Sequence, residues 1–139
     1  MADGPRLFLD ANVIFSAALS HQSRAAVLFA LARAASCRLV SSGYALEEAR
    51  RNILAKRPDA LIRFTNGLPL IQVVSEADSK RLLQAAVTGL DHGDVPILAA
   101  ALGRAEALVT GDRRHFGPFM GKKLLGLRIL SLAEALSMF

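Results

Sequence analysis

Short apolar segments that alternate with helical segments constrain the fold of this 139-residue chain more than any other feature of its sequence. The apolar segments predict five β-strands, at residues 6–9, 38–40, 70–74, 107–109 and 127–130. The segments between and after them predict helices at residues 23–35, 44–56, 76–87, 91–104 and 131–138. Because strands that alternate with helices form parallel sheets covered on both faces, we expect an α/β fold. The expected architecture is a three-layer α/β/α sandwich around a parallel sheet of about five strands.

The composition is typical of a single globular domain, which we expect to span residues 1–139. Hydrophobic residues make up 53% of the chain and charged residues 21%, which excludes an intrinsically disordered protein. A single Cys excludes a disulfide framework and a thiolate zinc site. No secretion signal and no apolar run of about 18 residues is present, so we expect no membrane span and a cytoplasmic location. The formal net charge of +5 favours polyanionic partners such as nucleic acids.

Two aspartates follow predicted strands. Asp10 comes directly after the strand at 6–9, and Asp112 follows the strand at 107–109 after two intervening residues. Because the carboxyl ends of parallel strands meet at one edge of a sheet, we expect the two side chains to lie at the same edge. Each also has a purely structural interpretation, since Asp10 can cap a helix that starts at Ala11 and Asp112 can be a turn residue.

Four further acids that are candidates for a site lie in two of the predicted helices. Asp91 and Asp94 are three residues apart at a helix start, where they can share one face or simply cap the helix. Pro96 is tolerated only in a first helical turn, which places that helix start close to Asp94. Glu47 and Glu48 lie in the helix that follows the second strand, where they can also be solvated surface charges.

Carboxylates that converge at one edge of a sheet repel one another and are difficult to keep ionised together. A divalent cation removes that repulsion, and Mg²⁺ or Mn²⁺ prefers oxygen ligands. Such an ion can polarise a phosphoryl oxygen and activate water. An acidic metal site in a chain with a positive net charge therefore indicates phosphodiester hydrolysis, with the acids holding the metal and basic residues holding the polyanion.

The chain resembles the PIN-domain family of metal-dependent ribonucleases, which includes the VapC-like toxins of prokaryotic toxin–antitoxin pairs. Five segments carry the resemblance, in the family's order. They are LDANVIFS at 9–16, SSGYALEEAR at 41–50, DHGDVPILAAA at 91–101, LVTGDRRHF at 108–116 and LRILSLAEAL at 127–136. The resemblance implies an endoribonuclease that uses Mg²⁺ or Mn²⁺, acts on RNA and is held in check by an antitoxin protein.

The resemblance also implies roles for individual residues. The family's catalytic, metal-binding acids correspond to Asp10, Glu48, Asp94 and Asp112, with Asp91 as a weaker additional ligand and with Asn12 and Thr110 as positioning groups. The second acid is ambiguous on a helical wheel, because Glu47 and Glu48 flank the core side equally. The family's usual step of six residues from Ser42 favours Glu48.

Basic residues and histidines accompany these acids. Arg113, Arg114 and Arg51 are candidates for binding the RNA backbone, and each can equally be an ordinary surface charge. His92 and His115 lie beside site acids and can act as general acids or bases, although a metal mechanism does not require them.

Two other functions and one other partner stay open at the level of sequence. The first alternative is a non-catalytic, PIN-like module for RNA binding or protein interaction. The second is a Mg²⁺-binding receiver-type signalling domain, which is disfavoured because Ser131, rather than Lys, follows the fifth strand. The Ala-rich segments at 25–26 and 99–101 most simply allow close helix–sheet packing, and can also form a homodimer face.

Overall fold

A computed structural model describes residues 4–139, and a six-stranded sheet forms its centre. The strands are β1 (Arg6–Leu9), β2 (Arg38–Ser42), β3 (Ile71–Val74), β4 (Ala107–Val109), β5 (Lys123–Leu124) and β6 (Leu127–Leu130). Their order across the sheet is β3-β2-β1-β4-β6-β5. The five predicted strands are present and parallel, and the expected α/β class is confirmed. The sheet has one strand more than expected, because the two-residue β5 pairs antiparallel with β6 at one edge.

Eight α-helices accompany the sheet within the described part of the chain, residues 4–139. They are α1 (Ala11–Leu19), α2 (Arg24–Arg33), α3 (Gly43–Lys56), α4 (Leu61–Gly67), α5 (Ser79–Ala86), α6 (Val95–Ala101), α7 (Arg113–Phe116) and α8 (Leu132–Leu136). None of the helices within residues 4–139 is long and apolar enough to cross a membrane.

The central strands bury side chains on both faces, which produces three layers. In β1, Leu7 and Leu9 pack into one core with residues of α1, α2, α4, α8 and most of α3, whereas Phe8 packs into a second core with α5, α6 and α7. This alternation follows from the two-residue period of a strand. The expected α/β/α sandwich is therefore confirmed. The segment Ala99–Ala101 is fully buried in the second core, so it serves helix–sheet packing and is unavailable as a dimer face.

The helix starts follow the capping residues. Ser23 accepts a hydrogen bond from the amide of Ala26 and begins α2, as predicted. The helix predicted at 76–87 is shorter, because Asp78 caps α5 through the amide of Arg81. The helix predicted at 91–104 is divided into a 3-10 turn at His92–Asp94 and α6.

The connection pattern defines where a ligand can approach the sheet. The chain proceeds from β1 to β2 on one side of β1, whereas β4 pairs with β1 on its other side. The strand order therefore reverses between β1 and β4, and in sheets of this kind the carboxyl ends of the strands at such a point flank a crevice. Asp10 follows β1 and Asp112 follows β4, so both lie at this point.

Candidate active site

Asp10 is held at the end of β1 by hydrogen bonds to both of its carboxylate oxygens. Oδ1 accepts from the amide of Ala11 at 2.7 Å, and Oδ2 accepts from the Thr110 hydroxyl at 2.7 Å and from Nδ2 of Asn12 at 3.2 Å. Asp10 is buried, with only 4% of its surface exposed to solvent. Asp10 also begins α1 as its N-cap. Asp10 can therefore cap α1 and also contribute to the acidic crevice, which is the space at the ends of β1 and β4 where the acids meet.

Asn12 and Thr110 connect the two loops that follow β1 and β4. Oδ1 of Asn12 accepts from the amide of Gly111 at 2.8 Å, across the strand boundary. The Thr110 hydroxyl donates to Asp10 and accepts from the amide of Asp112 at 3.1 Å. These bonds fix the loop that carries Asp112 against the loop that carries Asp10.

Asp112 begins the short helix α7. Its Oδ1 accepts from the amides of Arg114 and His115, both at 3.0 Å. Its Oδ2 points to the His115 ring and lies 2.9 Å from Nδ1. One oxygen of Asp112 therefore caps α7, and the other faces a neighbouring side chain of the crevice.

Asp94 and Asp91 reach the same crevice from the 3-10 turn before α6. Oδ2 of Asp94 lies 2.7 Å from Nδ1 of His115, and Oδ1 of Asp91 lies 3.9 Å from Nε2 of the same ring. Asp94 is largely buried, with 16% of its side chain exposed, whereas Asp91 is exposed. The His115 ring thus lies among three acids that come from two different loops.

The mutual repulsion of these acids is visible in their pKa values. Burial, followed by the charges of Asp10 and Asp112, raises the pKa of Asp94 to about 6. Burial also raises the pKa of Asp10, and the charge of Asp112 contributes to that rise. Desolvation lowers the pKa of His115, but the charges of Asp112, Asp94 and Asp91 outweigh it and raise the pKa overall. The crevice is therefore strongly negative and favours a bound cation.

The structure distinguishes Glu47 from Glu48, which a helical wheel leaves equivalent. Glu47 is exposed and pairs with Arg50 at 2.9 Å, and this hydrogen bond lowers the pKa of its carboxyl. Glu48 is partly buried, and burial followed by the charge of Asp10 raises its pKa, with a smaller contribution from Asp112. Of the pair, only Glu48 has a pKa that is raised by the charges of Asp10 and Asp112.

The predicted basic residues lie around the crevice. Arg113 and Arg114 are exposed in the first turn of α7, directly after Asp112. Arg51 is exposed on α3, and its charge lowers the pKa of Glu48. His92 is also exposed, in the 3-10 turn between Asp91 and Asp94.

The donor set of the crevice fits a divalent cation. Within residues 4–139, three buried side-chain polar atoms lack a hydrogen-bond partner, and two of them, Oδ2 of Asp94 and Nδ1 of His115, belong to this site. One donor atom from each of Asp91, Asp94 and His115 lies within 4.8 Å of the other two. Unpaired buried polar atoms are costly, and carboxylate oxygens together with an imidazole nitrogen are suitable ligands for a divalent ion.

The sequence places His115 beside the acids but does not indicate that its ring lies between two of them. The only available signal was its spacing, because residues three apart in a helix share a face and His115 is three residues after Asp112. The contact with Asp94 depends on how the 3-10 turn before α6 packs against α7, which no local pattern specifies.

Solved structures of similar fold cover most of the chain. VapBC2 from Rickettsia felis, bound to a DNA fragment from its promoter, has a TM-score of 0.66 and 16% identity, covering 91% of this chain and 98% of that one. DNA-bound VapBC from Salmonella typhimurium has a TM-score of 0.66 and 18% identity, with coverage of 92% and 98%. PAE2754 from Pyrobaculum aerophilum has a TM-score of 0.66 and 17% identity, with coverage of 98% and 89%. At these identities the likeness shows a shared fold.

The sequence itself matches a family profile. No curated protein matches the chain. The profile described as the PIN domain matches residues 6–114, which extend from β1 into α7 and include Asp10, Glu48, Asp94 and Asp112. The chain therefore belongs to the PIN-domain family.

Proposed function

We propose that this protein is a divalent-metal-dependent endoribonuclease and the toxin of a toxin–antitoxin pair. The observation that carries the proposal is the convergence of Asp10, Glu48, Asp94 and Asp112 at the reversal point between β1 and β4, where the charge of Asp10 raises the pKa of both Glu48 and Asp94. Membership of the PIN-domain family supports it.

The residues divide into ligands and positioning groups. Asp10, Glu48, Asp94 and Asp112 would hold Mg²⁺ or Mn²⁺, and the exposed Asp91 would be a weaker ligand. The bound ion would supply a Lewis acid for the phosphoryl oxygen and a water of lowered pKa. Asn12 and Thr110 orient Asp10 and the loop of Asp112 through the hydrogen bonds described above.

RNA is the substrate that the surroundings of the site favour. The chain has a formal net charge of +5, and five of its twelve acids are the proposed residues of the crevice, so its basic residues are in excess over the rest of the molecule. Arg51, Arg113 and Arg114 are exposed and adjacent to the acids, where they would contact the phosphate backbone on either side of the cleaved bond.

An antitoxin protein is the partner that the structural neighbours favour. Two of the similar structures are VapBC complexes bound to DNA, and this chain covers 98% of the matched chain in both. We propose that a cognate antitoxin binds this protein and restrains it in the cytoplasm. A homodimer is a second proposed assembly.

The decisive experiment measures cleavage of labelled single-stranded RNA by the purified protein with Mn²⁺ or Mg²⁺ and then with chelator. We expect cleavage to require the ion. Asp112→Asn should reduce the rate by at least about 100-fold, since even groups that only orient metal ligands contribute 10–100-fold. Mapping new RNA 5′ ends after induced expression identifies the cleaved sequence.

Asp59→Asn is the matched control, because Asp59 is an exposed acid that pairs with Arg57 away from the crevice. It should cleave RNA at the wild-type rate. Chelator-resistant cleavage would contradict the metal dependence. RNA binding without cleavage under any metal condition would favour the non-catalytic, PIN-like binding module instead.

A further inference from the structure

We propose that His115 is itself a ligand of the divalent ion, through Nδ1, and that it shifts the preference of the site from Mg²⁺ toward transition-metal ions such as Mn²⁺. This inference rests on the proposed function, because it concerns the same acidic crevice. It adds a nitrogen donor to a ligand set that the sequence predicted to consist of carboxylates alone.

The distances around Nδ1 are those of neighbouring ligands on one ion. Nδ1 lies 2.7 Å from Oδ2 of Asp94 and 2.9 Å from Oδ2 of Asp112. Two ligands on adjacent corners of an octahedron with bonds of about 2.1 Å lie about 3 Å apart. The ring nitrogen therefore makes the same close approach to both carboxylates that a shared ion would impose.

The contact between His115 and Asp94 is short but is not a directed hydrogen bond. Nδ1 of His115 and Oδ2 of Asp94 are both buried and lie 2.7 Å apart without hydrogen-bond geometry between them, whereas a side-chain hydrogen bond to Asp112 contributes to the raised pKa of His115. A hydrogen bond requires the N–H to point at the acceptor as well as a short distance. The arrangement brings two donor atoms to one point without pairing them with each other.

The protein anchors the backbone of His115 at and directly after this residue. The amide of His115 donates to Oδ1 of Asp112 at 3.0 Å, and the next residue, Phe116, is fully buried in the second core. About one third of the His115 side chain is exposed, at 34%. With its backbone anchored and its side chain partly open to solvent, His115 is suited to bind an ion that enters from the crevice.

The chemical consequence is a change in metal preference. Mn²⁺ shares with Mg²⁺ a preference for carboxylate and water ligands, but as a transition-metal ion it accepts an imidazole nitrogen more readily than Mg²⁺ does. Replacing His115 should therefore weaken the binding of Mn²⁺ more than that of Mg²⁺. We expect a loss of about tenfold in Mn²⁺ affinity and a smaller loss for Mg²⁺.

The test is electron spin-echo envelope modulation of Mn²⁺ bound to the full chain, which detects ¹⁴N of a coordinated imidazole. The chain has three histidines, at 21, 92 and 115, so the source of a nitrogen signal can be assigned by substitution. We expect the signal in the wild type, its loss in His115→Gln, and its retention in His92→Gln and His21→Gln.

A second variant distinguishes loss of the nitrogen ligand from loss of the folded site. His115→Asp supplies an oxygen donor at the same position, so Mn²⁺ should still bind while the ¹⁴N modulation disappears. Titration of Mn²⁺ with competing Mg²⁺ then gives the change in metal preference for each variant.

The results separate this inference from the proposed function. Mn²⁺ binding without ¹⁴N modulation in the wild type, or modulation that persists in His115→Gln, overturns the role of His115 and leaves metal-dependent RNA cleavage intact. If Mn²⁺ does not bind at all, both ideas fail, and chelator-sensitive RNA cleavage would not be expected either.

Discussion

The two sides of the crevice hold their acids in different ways. On the sheet side, both oxygens of Asp10 accept hydrogen bonds, from Ala11, Thr110 and Asn12. On the helix side, Oδ2 of Asp94 is buried without a hydrogen-bond partner. Both carboxyls have a raised pKa, and burial is the largest cause for each. The fold therefore stabilises the charge of Asp10 with its own hydrogen-bond donors. Against the charge of Asp94 it sets the His115 ring, which lowers the pKa of Asp94 by less than burial, Asp10 and Asp112 raise it, so that a bound cation would balance the remaining charge.

The first prediction asks whether α3 completes this crevice. Glu48→Gln should reduce metal-dependent RNA cleavage by about 100-fold, because it removes a ligand whose ionisation is coupled to Asp10 and Asp112. Glu47→Gln should change the rate less than about twofold, since Glu47 is exposed and pairs with Arg50. The measurement is the initial cleavage rate on one labelled RNA at saturating Mn²⁺.

The two glutamates are neighbours on one helix, so each variant is a matched control for the other. Both should keep the wild-type circular dichroism spectrum and thermal midpoint to within a few degrees. Equal loss of cleavage in both variants, or loss only in Glu47→Gln, would contradict the assignment of Glu48 to the crevice.

The second prediction concerns stability without metal. The folded pKa of Asp94 is about 6 and its ordinary value is 3.8, so between these pH values the folded state keeps a proton that the unfolded state has lost. Stability of the metal-free protein should therefore fall as pH rises from about 4 to 6, and the penalty persists above 6. Asp94→Asn removes it and should raise the metal-free thermal midpoint at pH 7.5 by a few degrees.

Asp10 should respond differently to the same substitution. Asp10→Asn also removes a charge, but its new amide group replaces one of two oxygens that both accept hydrogen bonds. The metal-free thermal midpoint of Asp10→Asn should therefore rise less than that of Asp94→Asn, or fall below that of the wild type. Thermal denaturation in chelator from pH 4 to 8 gives the measurement. Equal gains for the two variants would show that the two sides of the crevice are alike. A gain for Asp94→Asn that is as large at pH 4 as at pH 7.5 would show that the gain does not come from removing the charge of Asp94.

His115 also makes the stability of the metal-free wild type fall as pH rises. Its folded pKa is raised by the neighbouring acids, so the stability that its charge contributes is present below its ordinary value of 6.5 and is lost as pH rises through the folded value. The wild-type curve of stability against pH therefore combines the effects of Asp94 and His115. The difference in stability between the wild type and Asp94→Asn isolates the effect of Asp94, most directly between pH 4 and 6.

The sequence predicts much of this arrangement, because strand ends and helix starts are local features. The apolar segments before Asp10 and Asp112 identify both as strand-end acids, and parallel pairing then places them at one edge of the sheet. The short β5 and the helix α4 were not predicted, since two residues form too short a strand to show a period and the segment around Pro58 and Pro69 gives no clear helical pattern.

Long-range contacts account for what the sequence leaves open. Glu47 and Glu48 are equivalent on a helical wheel, and they differ only because Arg50 pairs with one while the end of β1 faces the other. The position of His115 between Asp94 and Asp112 likewise depends on the packing of α7 against the turn before α6. Neither contact follows from spacing along one element.

The smallest predicted effect tests whether the positive surface beside the negative crevice binds RNA. In an Asp112→Asn background, which allows binding without cleavage, Arg113→Gln with Arg114→Gln should reduce the dependence of log affinity on log salt concentration. Each lost phosphate contact lowers that slope by about 0.7 for single-stranded RNA. Arg38→Gln is the control, because Arg38 is an exposed residue at the amino end of β2, on the opposite edge of the sheet from the crevice. The slope of the Arg38→Gln variant should equal that of the Asp112→Asn parent. An unchanged slope in the Arg113 and Arg114 variant would place the RNA on another surface, without contradicting the assignment of the acidic site.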